Sequence, residues 1–222
     1  MRLTLFDLDG TLLPKDSDHA FGEWIVRLGW ADGDAYRSRN DAFYQDYAAG
    51  RLDIDAYIEF ATAAWRHRDA AELAAASRGF IHVVVQPMLH PAALGLVEQH
   101  RRAGDLMALV TATNDFITRP IAGCFGLEHL IATDLARDAA GRVLGTIQGL
   151  PSFREGKVAR VRQWLAARGQ QLADFERCTF SSDSTNDLPL LESVSHPVAT
   201  NPGAALERIA FERGWPVLKL FT

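Results

Sequence analysis

Two aspartates, Asp7 and Asp9, stand two residues apart in Phe6-Asp7-Leu8-Asp9-Gly10-Thr11, directly after the apolar run Leu3-Thr4-Leu5-Phe6. If strand-like backbone continues into them, the two-residue period turns both carboxylates to one side. Carboxylates at close range repel unless a cation or a shared proton lies between them, so the pair invites a metal. Asp-Gly is also a common turn dipeptide, and taken alone the segment reads equally as a strand-ending turn. A second acidic pair, Asp183 and Asp187, brackets Ser184-Thr185-Asn186 after the apolar run Cys178-Thr179-Phe180. A hard divalent cation favours oxygen ligands gathered from two such loops. The alternative is that these acids cap the next helix, with Pro189 in its first turn. Lys157 follows Gly156 where a helix is expected to begin, so its cation faces the positive end of the helix dipole; a nearby anion would remove that conflict. Balanced by Glu155 instead, it is an ordinary surface lysine. Thr111 follows the apolar run 106–110 with a hydroxyl and backbone N–H groups suited to phosphate oxygens, although threonine is common in strands.

Such residues need a scaffold that gathers distant loops. Apolar runs at 3–6, 106–110, 178–180 and 197–199 each end in polar residues, and helical patterns at 92–102, 116–125, 157–167 and 188–194 lie among them. This alternation predicts an α/β fold, a Rossmann-like doubly wound parallel sheet with helices on both faces. Ligands in such sheets bind at the carboxyl ends of the strands, where the acids and threonines accumulate. Residues 15–85 break the alternation with a helix-rich, aromatic stretch, far longer than a strand-to-helix connection of about six residues. We expect an inserted helical cap at 15–85, cored by its aromatic rings, on a catalytic core of 1–14 and 86–222. Residues 132–149, with Asp138-Ala139-Ala140-Gly141 between apolar-bearing segments, read as a hairpin.

Composition narrows the function classes. With 222 residues, 48% of them hydrophobic, the chain can bury one substantial core, alone or with a smaller companion. A formal charge of -5 leaves no basic surplus to hold nucleic acid. No window is apolar enough to span a bilayer, and Asp7 interrupts the N-terminus before a signal-peptide apolar region can form. Cys124 and Cys178 stand singly in apolar stretches, as expected of reduced thiols in a cytoplasmic protein, monomeric or homodimeric.

In order along the chain, Phe6-Asp7-Leu8-Asp9-Gly10-Thr11, Thr111, Lys157 and Asp183-Ser184-Thr185-Asn186-Asp187 resemble the four motifs of the haloacid dehalogenase-like hydrolase superfamily. The resemblance covers nearly the whole chain, and the insertion is similar to the cap of the phosphoserine phosphatase-like subfamily. It implies a phosphatase in which Asp7 forms an aspartyl-phosphate and Asp9 is the general acid and base. It also implies Mg²⁺ on the Asp7 carboxylate, the Asp9 main-chain carbonyl and Asp183, with Asp187 assisting directly or through water. Thr111 and Lys157 would grip the phosphoryl oxygens, in a phosphate site that also includes Gly10, Thr11, Ala112 and Asn186. The second aspartate, Asp9, favours phosphate chemistry over dehalogenation.

The same resemblance bears on the substrate, a small phosphorylated metabolite. Asp16 matches in position the glutamate that phosphoserine phosphatases place near the substrate amine. Aligning Gly50-Arg51-Leu52 with their cap puts Glu59 where they carry an arginine for the substrate carboxylate. A glutamate there would attract an amine and repel a carboxylate, unless it lies on a solvated helix face. The chain is further similar to bacterial members of the subfamily that include histidinol-phosphate phosphatases. Histidinol phosphate is thus the leading substrate and phosphoserine the alternative. Two other readings stay open. A phosphorelay receiver also combines acids, a threonine and a lysine at strand ends, but lacks a long cap and the alternating Asp7-Leu8-Asp9. A phosphotransferase would share Asp7 chemistry and pass the phosphoryl group to an alcohol. Of the histidines, only His19 is close enough in sequence to the first motif to reach a substrate.

Overall fold

Alternation along the first apolar run decides how the sheet is sandwiched. In the computed structural model, which describes residues 1–221, strand β1 (Arg2–Phe6) sends Leu3 and Leu5 into one hydrophobic cluster and Phe6 into the other. β2 (Leu106–Asn114) repeats the pattern, with Ala108 and Val110 on the first face and Leu109 on the second. Strands buried on both faces read as continuous apolar runs, which is why these segments stand out in the sequence.

The sheet has six strands in the order β3-β2-β1-β6-β7-β8, all parallel. The remaining members are β3 (Leu130–Thr133), β6 (Arg177–Ser182), β7 (His196–Thr200) and β8 (Val217–Leu218). Between the strands run α5 (Pro91–Arg102), α6 (Asp115–Cys124), α7 (Glu155–Ala166) and α9 (Ala204–Arg213). The chain winds from β1 to β2 and β3, then returns to the far side of β1 for β6, β7 and β8. The reversal leaves a crevice at the carboxyl ends of β1 and its two neighbours.

Four helices enter between β1 and α5: α1 (Ser17–Arg27), α2 (Gly33–Ala48), α3 (Ile54–Ala63) and α4 (Ala70–Phe80). Aspartates start all four, and three of them cap with the side chain. Asp16 accepts from His19 N, Asp53 from Ala56 N, and Asp69 forms a capping box with Glu72. Their rings pack on one another and on the sheet layer: Phe21 meets Phe80 edge-on at 5.0 Å, and Trp65 stacks on Phe116 of α6 at 4.4 Å. The chain leaves α4 through a π-helical turn, Ile81–Val85, before reaching α5.

The structure differs from the sequence expectation in three places. β3 and β8 join the sheet as edge strands, where runs of four and two residues leave little pattern to see. The hairpin is narrower than 132–149, pairing β4 (Leu135–Arg137) with β5 (Val143–Ile147), because Leu130–Thr133 belongs to the sheet. The helix expected at 188–194 is a single turn, α8 (Leu188–Leu191). Among the described residues, no single helix is long and apolar enough to cross a membrane.

Candidate active site

The loop leaving β1 carries Asp7 into the crevice, buried to 4% exposure, with its N–H donating to Ser181 O of the neighbouring β6 at 2.9 Å. Its Oδ1 accepts from Lys157 Nζ at 2.9 Å. Burial pushes the Asp7 carboxyl up to about 6, against the opposing pull of Lys157. Lys157 itself is 1% exposed in the first turn of α7 and lies 2.7 Å from Asp187 as well. Burial would lower its pKa, but the two carboxylates outweigh that and hold it above the usual lysine range. The unfavourable dipole position is thus answered by two anions.

Gly10 explains how the second acidic loop comes so close. Its φ of +75° is open to glycine, and a Cβ there would overlap the Asp183 carboxylate. The Thr11 hydroxyl lies 3.4 Å from Asp7 Oδ2 and 3.3 Å from Asp183 Oδ1, so its one proton serves one carboxylate at a time. Burial, reinforced by the Asp7 and Asp187 charges, holds Asp183 well above the usual carboxylate range. Two carboxylates raised by burial and sharing the Thr11 hydroxyl, beside a position where no Cβ intrudes, are suited to a hard cation.

Asp9 faces the inserted helices. Its Oδ1 accepts from Ser17 N at 2.7 Å and its Oδ2 from the Thr113 hydroxyl at 3.0 Å. Burial, then the Asp16 charge, raises it well above the usual range, which favours its protonated form. Thr111 is buried on β2, with its Oγ1 accepting from Thr113 N at 3.2 Å; Thr111, Ala112 and Thr113 together form one wall of a cavity.

That cavity lies where the carboxyl ends of β1 and β2 meet the inserted helices. Asp7 and Asp9 lie at one end, and Asp16, Asp18, His19, Phe43, Tyr44, Tyr47, Tyr57 and Ile58 bring α1, α2 and α3 to it. Among the described residues, no lysine or arginine lines it.

Three residues expected in the site are placed otherwise. Glu59 is exposed on α3 and outside the cavity; the helix turns Tyr57 and Ile58 inward instead, so the cap alignment does not bring a charge to that point. Asp187 has its oxygens engaged by Lys157 (2.7 and 2.8 Å) and by the Ser182 hydroxyl (2.7 Å), contacts that orient Lys157. Asn186 turns its amide to Tyr47 O of α2 at 3.0 Å, a tie to the inserted helices instead of an anion contact. The helix-capping alternative for the acidic pair falls to Ser184, which accepts from Asn186 N at 3.2 Å.

Several contributors were not singled out from the sequence. Thr113 repeats Thr111 at the strand period, a signal visible in the sequence. Asn201, at φ +48°, donates to the Gly10 and Thr11 carbonyls at 2.9 and 3.1 Å and so pins the first loop. Asp18, two residues beyond Asp16, reaches the same cavity at 8% exposure.

Comparison with known proteins places this geometry. Residues 4–192 match the family model for haloacid dehalogenase-like hydrolases. The chain belongs to that family. A histidinol-phosphatase of Neisseria meningitidis is 44% identical over 97% of each chain. The crystal structure of a protein of unknown function from Bordetella pertussis is 49% identical, covers 99% of both chains and superposes with a TM-score of 0.93. A substrate-bound phosphoserine phosphatase superposes with a TM-score of 0.68 at 15% identity, over 97% of this chain and 91% of that one, a likeness of fold. As a haloacid dehalogenase-like hydrolase with phosphatases among its relatives, this protein is an enzyme, a phosphatase of small phosphorylated metabolites.

Proposed function

We propose that this phosphatase hydrolyses the phosphate monoester of an amine-bearing alcohol, with histidinol phosphate the leading substrate, through a phosphorylated Asp7. The observation that carries the substrate class is the charge of the cavity. Beyond Asp7, paired with Lys157, and Asp9, which holds the transferable proton, Asp16 and Asp18 face it, and among the described residues histidine is the one basic residue type in its lining. A carboxylated alcohol such as serine would meet repulsion there, and an ammonium group would be drawn in. The name of the Neisseria relative agrees with this reading.

The donor set of the Asp7 and Asp183 carboxylates with the Asp9 main-chain carbonyl fits Mg²⁺, a hard cation that prefers oxygen. Bound there, the ion would offset the repulsion between the Asp7 carboxylate and the phosphate. Asp7 attacks phosphorus as the bond to the ester oxygen breaks, and the proton on Asp9 passes to the leaving alkoxide. Asp9, now ionised, takes a proton from water as that water attacks the phosphoryl group and frees Asp7. Lys157 keeps Asp7 ionised and oriented, while the Thr111 hydroxyl and neighbouring N–H groups meet phosphoryl oxygens. We treat residues 15–85 as the cap that selects the alcohol, and the two unpaired thiols as fitting a cytoplasmic enzyme.

A screen with Mg²⁺ over histidinol phosphate, phosphoserine, sugar phosphates and nucleotides tests the reading, with Asp7→Asn as control. We expect the highest kcat/KM on histidinol phosphate, with loss of activity in the variant and on chelation. A preference for phosphoserine would overturn the substrate assignment.

A further inference from the structure

Asp18 is the unexplained acid of the cavity. It sits in the first turn of α1, two residues beyond Asp16, and is 8% exposed, yet it lines the cavity. Tyr57 of α3 lines the same cavity and acts on its carboxyl. Among the described residues it forms no salt bridge, although carboxylates are rarely buried without a cation or a hard reason.

Asp16 and Asp18 differ in depth. Asp16 borders the groove where Asp9, Gly10 and Asp183 meet, and the N–H of the next residue, Ser17, donates to Asp9 at 2.7 Å, so Asp16 stands on the side of the reacting ester. Asp18 lines the main cavity but not that groove. Flat or apolar side chains, Phe43, Tyr57, Ile54 and Ile58, line the same cavity. An ammonium on the carbon next to the ester carbon falls at Asp16. Whatever extends further into the cavity meets a carboxyl set among rings and aliphatic groups.

We propose that Asp18, oriented by Tyr57, is a specificity-determining residue that accepts a hydrogen bond from a second nitrogen of the leaving alcohol, a ring N–H or second ammonium held in the Phe43–Ile58 slot. The assignment rests on the amine-bearing alcohol proposed above and adds a second requirement to it: the favoured substrates carry two nitrogen donors, one near the ester and one at the far end. A buried carboxyl left unpaired rejects an analogue that lacks the second donor, because its desolvation is then uncompensated.

The test compares kcat/KM for histidinol phosphate, for its phenyl analogue phenylalaninol phosphate, and for phosphoethanolamine, in the Mg²⁺-loaded wild type, in Asp18→Asn and in Tyr57→Phe. We expect the wild type to favour histidinol phosphate over the phenyl analogue. Asp18→Asn should shrink that ratio about tenfold or more, mainly through KM. Tyr57→Phe should shrink it less and in the same direction, and it carries the test if Asp18→Asn does not fold. A wild type inactive on all three would overturn the proposed function and this inference with it. A wild type that accepts amino-alcohol phosphates but shows no preference for the ring nitrogen, or variants that leave the ratio unchanged, would overturn the role of Asp18 alone.

Discussion

Replacing Asp18 by asparagine keeps its shape and removes its ionisation, so it isolates one buried charge. Burial, reinforced by Asp16, pushes the Asp18 carboxyl from 3.8 up to about 7, with the Tyr57 hydroxyl opposing the rise. The groups facing it are Asp16 from its own segment, Tyr36 of α2 and Tyr57 of α3, none of them a cation. Because the folded form holds the proton more tightly than the unfolded chain, this contribution to stability is complete below pH 3.8 and is lost as pH rises to about 7. One proton gives a slope of at most about 1.4 kcal/mol per pH unit, so the full window amounts to about 4 kcal/mol. Urea unfolding of the wild type and Asp18→Asn from pH 4.5 to 8, in chelator so that metal binding does not enter, reads the difference directly. The wild type should lose stability relative to the variant across that range, with the difference levelling above about pH 8. A difference that stays flat from pH 4.5 upward would mean that Asp18 ionises like an exposed carboxylate, and the account of a buried unpaired acid would be wrong.

Other substitutions probe the rest of the site. Gly10→Ala combines a left-handed φ, costing about 1–2 kcal/mol, with overlap on Asp183; we expect kcat/KM to fall about a hundredfold and the Mg²⁺ requirement to rise, and an active variant with ordinary Mg²⁺ dependence would remove Gly10 as the reason for the close approach. Lys157→Met leaves Asp7 and Asp187 buried without their cation and should cost about 3–5 kcal/mol in urea unfolding together with activity. Adding Asp187→Asn should restore part of the stability and none of the activity; recovery of turnover would contradict the role given to Lys157. Glu59→Arg, on an exposed helix face, should change kcat/KM less than twofold on amine and carboxylate substrates alike, and a shift in preference between them would return Glu59 to the site.

How much of this was legible in sequence depends on what positions each residue. Asp7, Asp9, Lys157 and Asp183 lie at the ends of strands or at a helix start, so an apolar run followed by a polar residue marks them, and the parallel sheet brings those ends together. The inserted helices follow a different rule. Which face of α3 turns inward is decided by packing of Tyr57 and Phe60 against Phe43 and Tyr36 of α2, and a one-residue error of alignment rotates a helical position by about 100°. Glu59 therefore looked like a cavity residue, while its neighbours Tyr57 and Ile58 are the ones that reach it. Asp18 was hidden for a related reason: in the first turn of a helix an aspartate is expected to favour the dipole, and only the fold shows it buried. Asp187 and Asn186 were read as members of one motif, but tertiary contacts divide their work between Lys157 and Tyr47.

The central claim is that Asp7 becomes phosphorylated during turnover. Acid quenching of wild-type enzyme in the steady state with histidinol phosphate and Mg²⁺, followed by peptide mass spectrometry, should find one phosphoryl group on the peptide containing Asp7 and none in Asp7→Asn, which should also be inactive. Full turnover by Asp7→Asn, or phosphorylation of the wild type at a different residue, would contradict the account.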